Sequence, residues 1–244
     1  MDRLYIKEFY MKSEITGETY IRDLPVVRAL RQIGRFTLRK PVTFFVGENG
    51  SGKSTLLEAL AVSSGLNAEG GSRNFNFSTK STESDLHNYI SIAKSAHEKD
   101  RYFLRAESFY NVASNIEDLD EGQPSLIMSY GGKSLHEQSH GESFMSLLTN
   151  RFGGNGLYIL DEPEAALSPT RQMSLLVEIH RLVNTNSQLI ISTHSPILTA
   201  YPNAEIYEIR DDTISLTEYK AAEHYQITKQ FLNNSEQMLK ILLE

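Results

Sequence analysis

The sequence predicts an α/β fold in which a mostly parallel sheet is flanked by helices. Three short apolar stretches, at 41–46, 156–161 and 188–192, have the continuous hydrophobicity of strands buried on both faces. Helical patterns follow the first two stretches, at 55–63 and 170–183. Apolar strands that alternate with helices are typical of parallel sheets covered on both sides. Each stretch ends in polar residues, and ligands of such sheets bind beyond the carboxyl ends of the strands.

Local patterns predict the elements around this core. In chain order, they are a strand at 4–11, a helix at 24–33, a strand at 35–38, a helix at 85–99, a strand at 102–105, a helix at 141–150, a hairpin at 205–217 and a helical segment at 221–244. Residues 65–84 are rich in Gly, Ser, Asn and Thr, which indicates a loop. We therefore expect one domain over residues 1–244, with an antiparallel β portion and a small inserted helical lobe at about 65–150.

Composition and charge restrict the possible classes of protein. The 244 residues are 40% hydrophobic and 23% charged, which is ordinary for a globular domain. A net charge of −7 argues against nucleic-acid binding through overall charge, although a local basic patch is compatible with it. The absence of cysteine excludes disulfides, thiolate metal sites and thiol nucleophiles. Because we find neither a signal peptide nor an apolar run of about 18 residues, we expect a cytoplasmic protein without a membrane span.

The stretch Gly47–Thr55, GENGSGKST, fits the phosphate-binding pattern G-x-x-x-x-G-K-[ST] and lies between a predicted strand and a predicted helix. Glycines let backbone N–H groups curl around an anion, and the following helix directs its positive dipole end to the same place. Lys53 is expected to reach the β- and γ-phosphates, and the Ser54 hydroxyl to ligate Mg²⁺. The alternative is a Gly-Ser turn beside a surface lysine. The predicted nucleotide-binding residues of this loop are Asn49, Gly50, Ser51, Gly52, Lys53, Ser54 and Thr55.

Two carboxylates follow the second apolar strand. Asp161 is expected at the edge of the sheet, where it can hold the Mg²⁺ that Ser54 also contacts. Glu162 can face the γ-phosphate and polarise a water molecule as a catalytic base. The alternative is a solvated Asp-Glu-Pro turn, which a position about a hundred residues after a phosphate-binding loop disfavours. The pair predicts hydrolysis of a nucleoside triphosphate.

Two further groups of polar residues are candidates for contact with phosphate. His194 follows the third apolar strand and can donate a hydrogen bond to the γ-phosphate, so that it senses whether this group is present. The alternative is an ordinary histidine at a strand end. Ser139–Glu142 opens a predicted helix whose N-terminus can bind an anion. The alternative there is simple N-capping by Ser139.

Together these motifs resemble the ABC-type ATPase superfamily, and its RecF/SMC-like branch more than a transporter cassette. Gly47–Thr55 matches the Walker A motif, Leu157–Glu162 matches Walker B, and His194 matches the switch histidine. Ser139–Glu142 is similar to the signature motif, with Glu where transporters usually carry Gln. Glu164–Ser168 lies where the family has its D-loop. The resemblance extends to small bacterial ATPases of AAA/ABC type and implies a P-loop NTPase fold.

The sequence departs from the family pattern at three places. His140 replaces a signature glycine, and Ser168 stands where transporters usually carry Asp. The glutamine of the Q-loop, which contacts the metal in this family, is not evident. Glu107 follows the strand at 102–105 in the comparable place and is therefore a candidate Mg²⁺ ligand.

The family resemblance implies a mechanism with two facing subunits. Ser139 and Gly141 of one subunit would contact the γ-phosphate held by Lys53 and Ser54 of the other, and Glu142 is predicted to belong to the same nucleotide-binding surface. ATP then joins an ATP-dependent homodimer, and hydrolysis through Glu162, Lys53 and His194 releases it. We therefore predict a Mg²⁺-dependent ATPase that acts as a switch on a DNA or protein partner.

Other functions are less consistent with the sequence. A nucleotide-binding subunit of a membrane transporter is the main alternative, but Glu142 and the missing Q-loop glutamine favour the first interpretation. About a hundred residues between Lys53 and Asp161 are too few for a long SMC-type arm. A P-loop kinase or GTPase would leave Ser139–Glu142 unexplained, and no N-K-x-D motif occurs. A protein that binds ATP without turnover also remains open.

Overall fold

The computed structural model describes residues 4–71, 84–107, 109 and 138–244. Its strands are β1 (Ile6–Met11), β2 (Arg35–Thr37), β3 (Val42–Gly47), β4 (Ile90–Lys94), β5 (Asp100–Arg105), β6 (Gly156–Asp161), β7 (Gln188–Ser192), β8 (Glu205–Arg210) and β9 (Thr213–Thr217). Its α-helices are α1 (Pro25–Ile33), α2 (Lys53–Ser63), α3 (His140–Arg151), α4 (Pro169–Asn184), α5 (Glu223–Asn233) and α6 (Ser235–Leu243). Short 3-10 turns are at Tyr20–Asp23, Asp85–Asn88, Pro163–Ala166, Leu198–Ala200 and Tyr219–Ala221.

These strands form two sheets. The larger sheet has the order β5-β6-β7-β3-β8-β9, in which the first five strands are parallel and β9 is antiparallel to β8. The smaller sheet is antiparallel and has the order β2-β1-β4. The structure thus confirms the predicted α/β fold with a mostly parallel sheet, flanking helices and an antiparallel β portion.

Both faces of the larger sheet are buried. Phe44 of β3 packs into the hydrophobic cluster that α3 and α4 complete, whereas Phe45 packs into a second cluster with α2 and the smaller sheet. Tyr158 and Ile159 of β6 divide between the two clusters in the same way. Successive residues of a strand point to opposite faces, so a sheet that is covered on both faces requires continuous apolar runs. Such runs are what identified these strands in the sequence.

The predicted helix at 85–99 is wrong. The turn Asp85–Asn88 occupies its beginning, and β4 follows and pairs antiparallel with β1. Ile92 of β4 lies opposite Phe9 of β1. Pairing with a strand that is distant in the sequence overrides the local preference, and no local pattern can reveal it. Of the expected inserted lobe, residues 72–83, 108 and 110–137 lie outside the described residues.

One buried side chain fastens β1 to the larger sheet. Gln188 at the start of β7 is fully buried. Its Oε1 accepts hydrogen bonds from the backbone N–H groups of Tyr5 (2.7 Å) and Ile6 (2.8 Å), and its Nε2 donates to the Ile6 carbonyl (2.8 Å). The amide therefore satisfies three backbone groups at the start of β1.

We predict that Gln188→Leu lowers the free energy of unfolding by about 3 kcal/mol, because each buried polar group left without a partner costs roughly 1–3 kcal/mol. Urea denaturation followed by circular dichroism measures this change. Gln237→Leu on the exposed side of α6 is the control and should change stability by less than about 0.5 kcal/mol. If both substitutions change the free energy of unfolding equally, the Gln188 amide is not what stabilises the contact between β1 and the larger sheet.

Candidate nucleotide-binding site

The loop between β3 and α2 has the conformation that its glycines permit. Gly50 and Gly52 have positive φ angles of 82° and 91°. A Cβ atom at Gly52 would lie 2.5 Å from Val26 Cγ1, because α1 packs directly on the loop. The Val26 N–H also donates to the Ser51 carbonyl at 3.0 Å. A side chain at position 52 would therefore displace α1 as well as strain the loop.

Lys53 begins α2 and points back into this loop. Its side chain is buried, and Nζ donates to the carbonyls of Gly47 (2.8 Å) and Glu48 (3.0 Å). Burial lowers the pKa of Lys53, and the nearby carboxylates of Glu162 and Asp161 oppose this shift. Within the described ranges, no carboxylate forms a direct ion pair with Nζ. The buried ammonium therefore gains from a further anionic group in the loop.

Asp161 ends β6 and is nearly inaccessible, with 3% of its surface exposed. Its Oδ1 accepts a hydrogen bond of 2.5 Å from the Ser192 hydroxyl, and its Oδ2 lies 3.3 Å from Arg105 Nε. Burial raises the pKa of Asp161, while hydrogen bonds from Ser192 and Ser54 and the charge of Arg105 oppose this. Asp161 and Ser54 are thus held side by side.

The residues at this position fit a magnesium ion. The Ser54 hydroxyl and the Asp161 carboxylate are hard oxygen ligands, and they border a cavity of about 380 Å³ that Lys53 also lines. Across the described part of the chain, no group of three or more acidic or histidine side chains is arranged to hold a metal. Mg²⁺ usually takes one or two protein oxygens together with water and phosphate oxygens, so two suffice when a nucleotide is bound.

Glu107 borders the same cavity. Its side chain is 89% exposed, and its carboxylate lies 3.9 Å from Arg105 Nε. This position allows the side chain to turn toward the cavity or toward solvent. Its assignment as a Mg²⁺ ligand stays a prediction.

Glu162 and His194 lie together at the edge of the cavity. Glu162 lines it, and Glu162 Oε1 is 3.5 Å from His194 Nε2. The Glu162 backbone is left-handed, with φ 48°, and its N–H contacts both the hydroxyl and the carbonyl of Ser192 at 3.1 Å. Burial and the charge of Lys53 lower the pKa of His194, whereas Glu162 opposes this shift. The structure therefore brings together the three side chains predicted as catalytic.

Arg105 is a member of the site that the sequence did not reveal. Its guanidinium lies between Asp161 and Glu58 of α2, with Arg105 Nη1 3.0 Å from Glu58 Oε2. The sequence around this arginine does not indicate its ion-pair partners, because Asp161 and Glu58 are both distant in the sequence. Only the pairing of β5 with β6 places Arg105 opposite Asp161.

Ser139–Glu142 forms a different surface. Ser139 caps α3 with a capping box, in which its N–H donates to Glu142 Oε2 at 3.0 Å. Glu142 also pairs with Arg171 at 3.2 Å. Ser139 is therefore an N-cap of α3, as the alternative interpretation states, and this role does not exclude binding of an anion at the same helix end. Ser139 and Glu142 remain exposed, and neither they nor Gly141 is among the described residues that line the cavity.

Two of the three departures from the family pattern, Ser168 and His140, have ordinary structural surroundings. The Ser168 hydroxyl accepts a hydrogen bond from the Arg171 N–H at 3.4 Å and caps α4. Serine and aspartate are both good N-caps, so the exchange preserves the start of this helix. His140 is exposed at the start of α3, with its ring centroid 6.2 Å from that of Phe109.

Comparison with known proteins identifies the family. Residues 27–240 match the family model AAA_23, which describes an AAA domain. The chain belongs to this family. Together with the fold described above, this match confirms the predicted P-loop ATPase of AAA/ABC type.

Individual relatives are distant. An uncharacterised ABC transporter ATP-binding protein of Haemophilus influenzae is 29% identical over 71% of this chain and 72% of that protein. The ABC transporter G family member STR2 of Medicago truncatula is 25% identical over 76% of this chain, which spans only 27% of that protein. A similar solved structure is that of an ABC transporter assigned to the metal-chelate type, in an inward-facing conformation. The structural alignment covers 92% of this chain and 88% of the transporter chain, with a TM-score of 0.52 and 15% identity. The last likeness shows the fold alone.

We predict that Asp161→Asn favours the folded, nucleotide-free protein by about 1 kcal/mol more at about pH 7.5 than at about pH 4.5. Burial raises the pKa of Asp161 above its ordinary value of 3.8, so its ionisation destabilises the folded state as the pH rises from that value through the raised pKa. Below 3.8 the aspartate is neutral in both states, and the advantage of asparagine should shrink toward that pH.

Urea unfolding at about pH 4.5 and about pH 7.5 tests this prediction. Asp211→Asn serves as the control, because its side chain is 89% exposed, and it should leave the pH dependence of stability unchanged. A difference between wild type and Asp161→Asn that does not grow with pH would contradict the assignment.

Proposed function

We propose that this protein hydrolyses ATP with Mg²⁺ as an ATP-joined homodimer that acts as a switch on a partner. The observation that carries the proposal is the convergence of Lys53, Ser54, Asp161 and Glu162 on one cavity, with His194 within 3.5 Å of Glu162. These residues come from the carboxyl ends of two parallel strands, β6 and β7, and from the start of α2. They supply a phosphate anchor, metal ligands, a base and a sensor.

The buried ammonium of Lys53 is the natural anchor for the β- and γ-phosphates. It currently donates to the carbonyls of Gly47 and Glu48, and phosphate oxygens would replace these weaker acceptors. The N-terminus of α2 adds backbone N–H groups and a positive dipole end. A Mg²⁺ ion held by Ser54 and Asp161 would neutralise part of the negative charge of the phosphates.

Glu162 and His194 are suited to different parts of hydrolysis. Glu162 is partly exposed at the cavity, where it can accept a proton from an attacking water. The lowered pKa favours the neutral form of the His194 imidazole, and a neutral imidazole can donate one hydrogen bond to the γ-phosphate. The left-handed backbone at Glu162 directs its side chain away from the line of β6, toward His194.

The position of the signature residues supports a homodimer. Ser139 is exposed at the N-terminus of α3 and does not border the cavity of its own subunit. A helix N-terminus favours anions, so a nucleotide presented by a second copy fits there. A nucleotide held from both sides favours the closed dimer, because it contacts both halves only in that state.

The partner defines two versions of this function. The H. influenzae, M. truncatula and metal-chelate relatives are named as transport proteins, and by analogy this chain would be the nucleotide-binding subunit of a transporter. Within the described ranges, the chain has no helix long and apolar enough to cross a membrane. Glu142 in the signature motif supports the DNA or protein switch instead. Stimulation of the ATPase by DNA would favour the switch, and co-purification with a membrane protein would favour transport.

We predict that Glu162→Gln lowers kcat for ATP by about 100-fold or more, because the base is lost, while ATP binding and the dimer persist. Sedimentation velocity with and without Mg-ATP should show an ATP-dependent dimer of this variant. Glu236→Gln on the exposed surface of α6 is the matched control and should behave as wild type. A variant that stays monomeric in ATP would contradict the two-subunit mechanism, and unchanged slow turnover would indicate a protein that only binds ATP.

A further inference from the structure

Glu164 is a partly buried carboxylate next to the proposed catalytic residues. It lies in the turn Pro163–Ala166, and its side chain extends to the loop after β7. Its Oε1 accepts a hydrogen bond of 2.5 Å from the backbone N–H of His194. Burial raises the pKa of Glu164, and the hydrogen bonds from His194 and the Thr193 hydroxyl oppose this shift. Its contacts are thus to the segment that carries the sensor histidine.

Stability alone accounts poorly for a carboxylate at this position. A buried acid is usually paired with a cation, but no lysine or arginine of the described ranges forms an ion pair with Glu164. A negative charge on Glu164 is also unfavourable beside Glu162, because the charge of the Glu162 carboxylate contributes to the raised pKa of Glu164. A neutral side chain could fill the same volume at lower cost.

The two neighbouring acids hold His194 at two points. Glu162 contacts the imidazole Nε2 at 3.5 Å, and Glu164 holds the backbone N–H of the same residue. A charge-assisted hydrogen bond to a backbone amide fixes the orientation of the peptide plane. That orientation determines the position and direction from which the His194 side chain extends. A displacement of His194 by about 1 Å is enough to reduce a catalytic rate greatly.

The turn that carries Glu164 also contacts the signature helix. A Cβ atom added to Gly141 would lie 3.0 Å from the Ala166 carbonyl, so α3 packs closely on this turn. Arg171, just after the turn, donates to the Ser139 hydroxyl at 3.3 Å. One short segment therefore contacts the surface proposed to face the second subunit and, through Glu164, the histidine of its own cavity.

Resting on the proposed function, we propose that Glu164 is a positioning residue: it holds the backbone of His194 in the orientation for γ-phosphate contact and ties it to the segment that faces the second subunit. Glu164 itself does not touch the nucleotide. Its loss should reduce turnover with little effect on ATP binding, which depends on the loop at 47–55.

The test compares substitutions at Glu164 that keep or remove the acceptor. Glu164→Gln retains a carbonyl oxygen of the same reach and should keep kcat within about threefold of wild type. Glu164→Leu removes the acceptor and should lower kcat by about tenfold or more, with KM for ATP within about twofold. Glu164→Asp withdraws the carboxylate by one methylene and should lower kcat as much as Glu164→Leu does. It replaces Glu164→Leu in the test if that variant does not fold. Equal losses in Gln and Leu would overturn the proposal.

A double-mutant cycle with His194→Ala separates positioning from general destabilisation. If Glu164 acts through His194, Glu164→Leu should cause no further loss of kcat in the His194→Ala background. If the fold-loss in kcat of the double variant equals the product of the losses in the two single variants, the proposal is overturned. Glu205→Leu is the matched control, because Glu205 also accepts a backbone N–H, from Arg39 at 2.9 Å, but lies on β8 outside the site. It should lower Tm without lowering kcat at temperatures where it is folded.

A readout without turnover keeps this proposal distinct from the proposed function. In protein labelled with ¹⁵N-histidine, the amide signal of His194, assigned by its loss in His194→Asn, should lie downfield and move upfield in Glu164→Leu. Addition of Mg-ATP should shift it in wild type and shift it less in Glu164→Leu. Absence of ATP hydrolysis in wild type would refute the proposed function alone. An amide signal that is indifferent to Glu164→Leu would refute the positioning role alone.

Discussion

The alignment of β6 with β7 is the constraint on which the site depends. It places Asp161 directly beside Ser192, whose hydroxyl donates to the Asp161 carboxylate and receives the N–H of Glu162. One small side chain thus orients one acid and the backbone of the next. A shift of the pairing by one residue would exchange the two faces of the strand and separate these groups. The continuous hydrophobic burial of both strands resists such a shift, so the core and the chemistry are fixed by the same register.

Much of this arrangement could be predicted because its signals are local. Strands buried on both faces are recognisable from their own composition, and the polar residues that end them must share one sheet edge. The roles of Gln188, Arg105 and Glu164 could not be predicted, because each acts on a residue far away in the sequence. β4 was mistaken for helix for the same reason, since its partner β1 lies about 80 residues earlier. Local patterns define elements and their ends, but not which side chain crosses between them.

The electrostatics of the cavity are unbalanced toward negative charge. Burial raises the pKa of Glu58, Asp161 and Glu164, while Arg105 and Lys53 are the cations close to them. A bound divalent cation would relieve this imbalance, because its positive charge would offset carboxylates that are costly to ionise alone. A protein with such a cavity gives up stability in its free form and recovers it on binding, which is the usual relation between stability and function at binding sites.

The left-handed backbone at Glu162 has a consequence for the evolution of this chain. Side chains branched at Cβ tolerate that conformation poorly, whereas glycine and asparagine adopt it readily. Replacement by glycine would remove the carboxylate and at the same time relax the backbone. If Glu162 acts as proposed, this single replacement would turn the enzyme into a protein that binds nucleotide without hydrolysing it. The fold alone does not favour an acid in this strained position, so its presence there points to a chemical role.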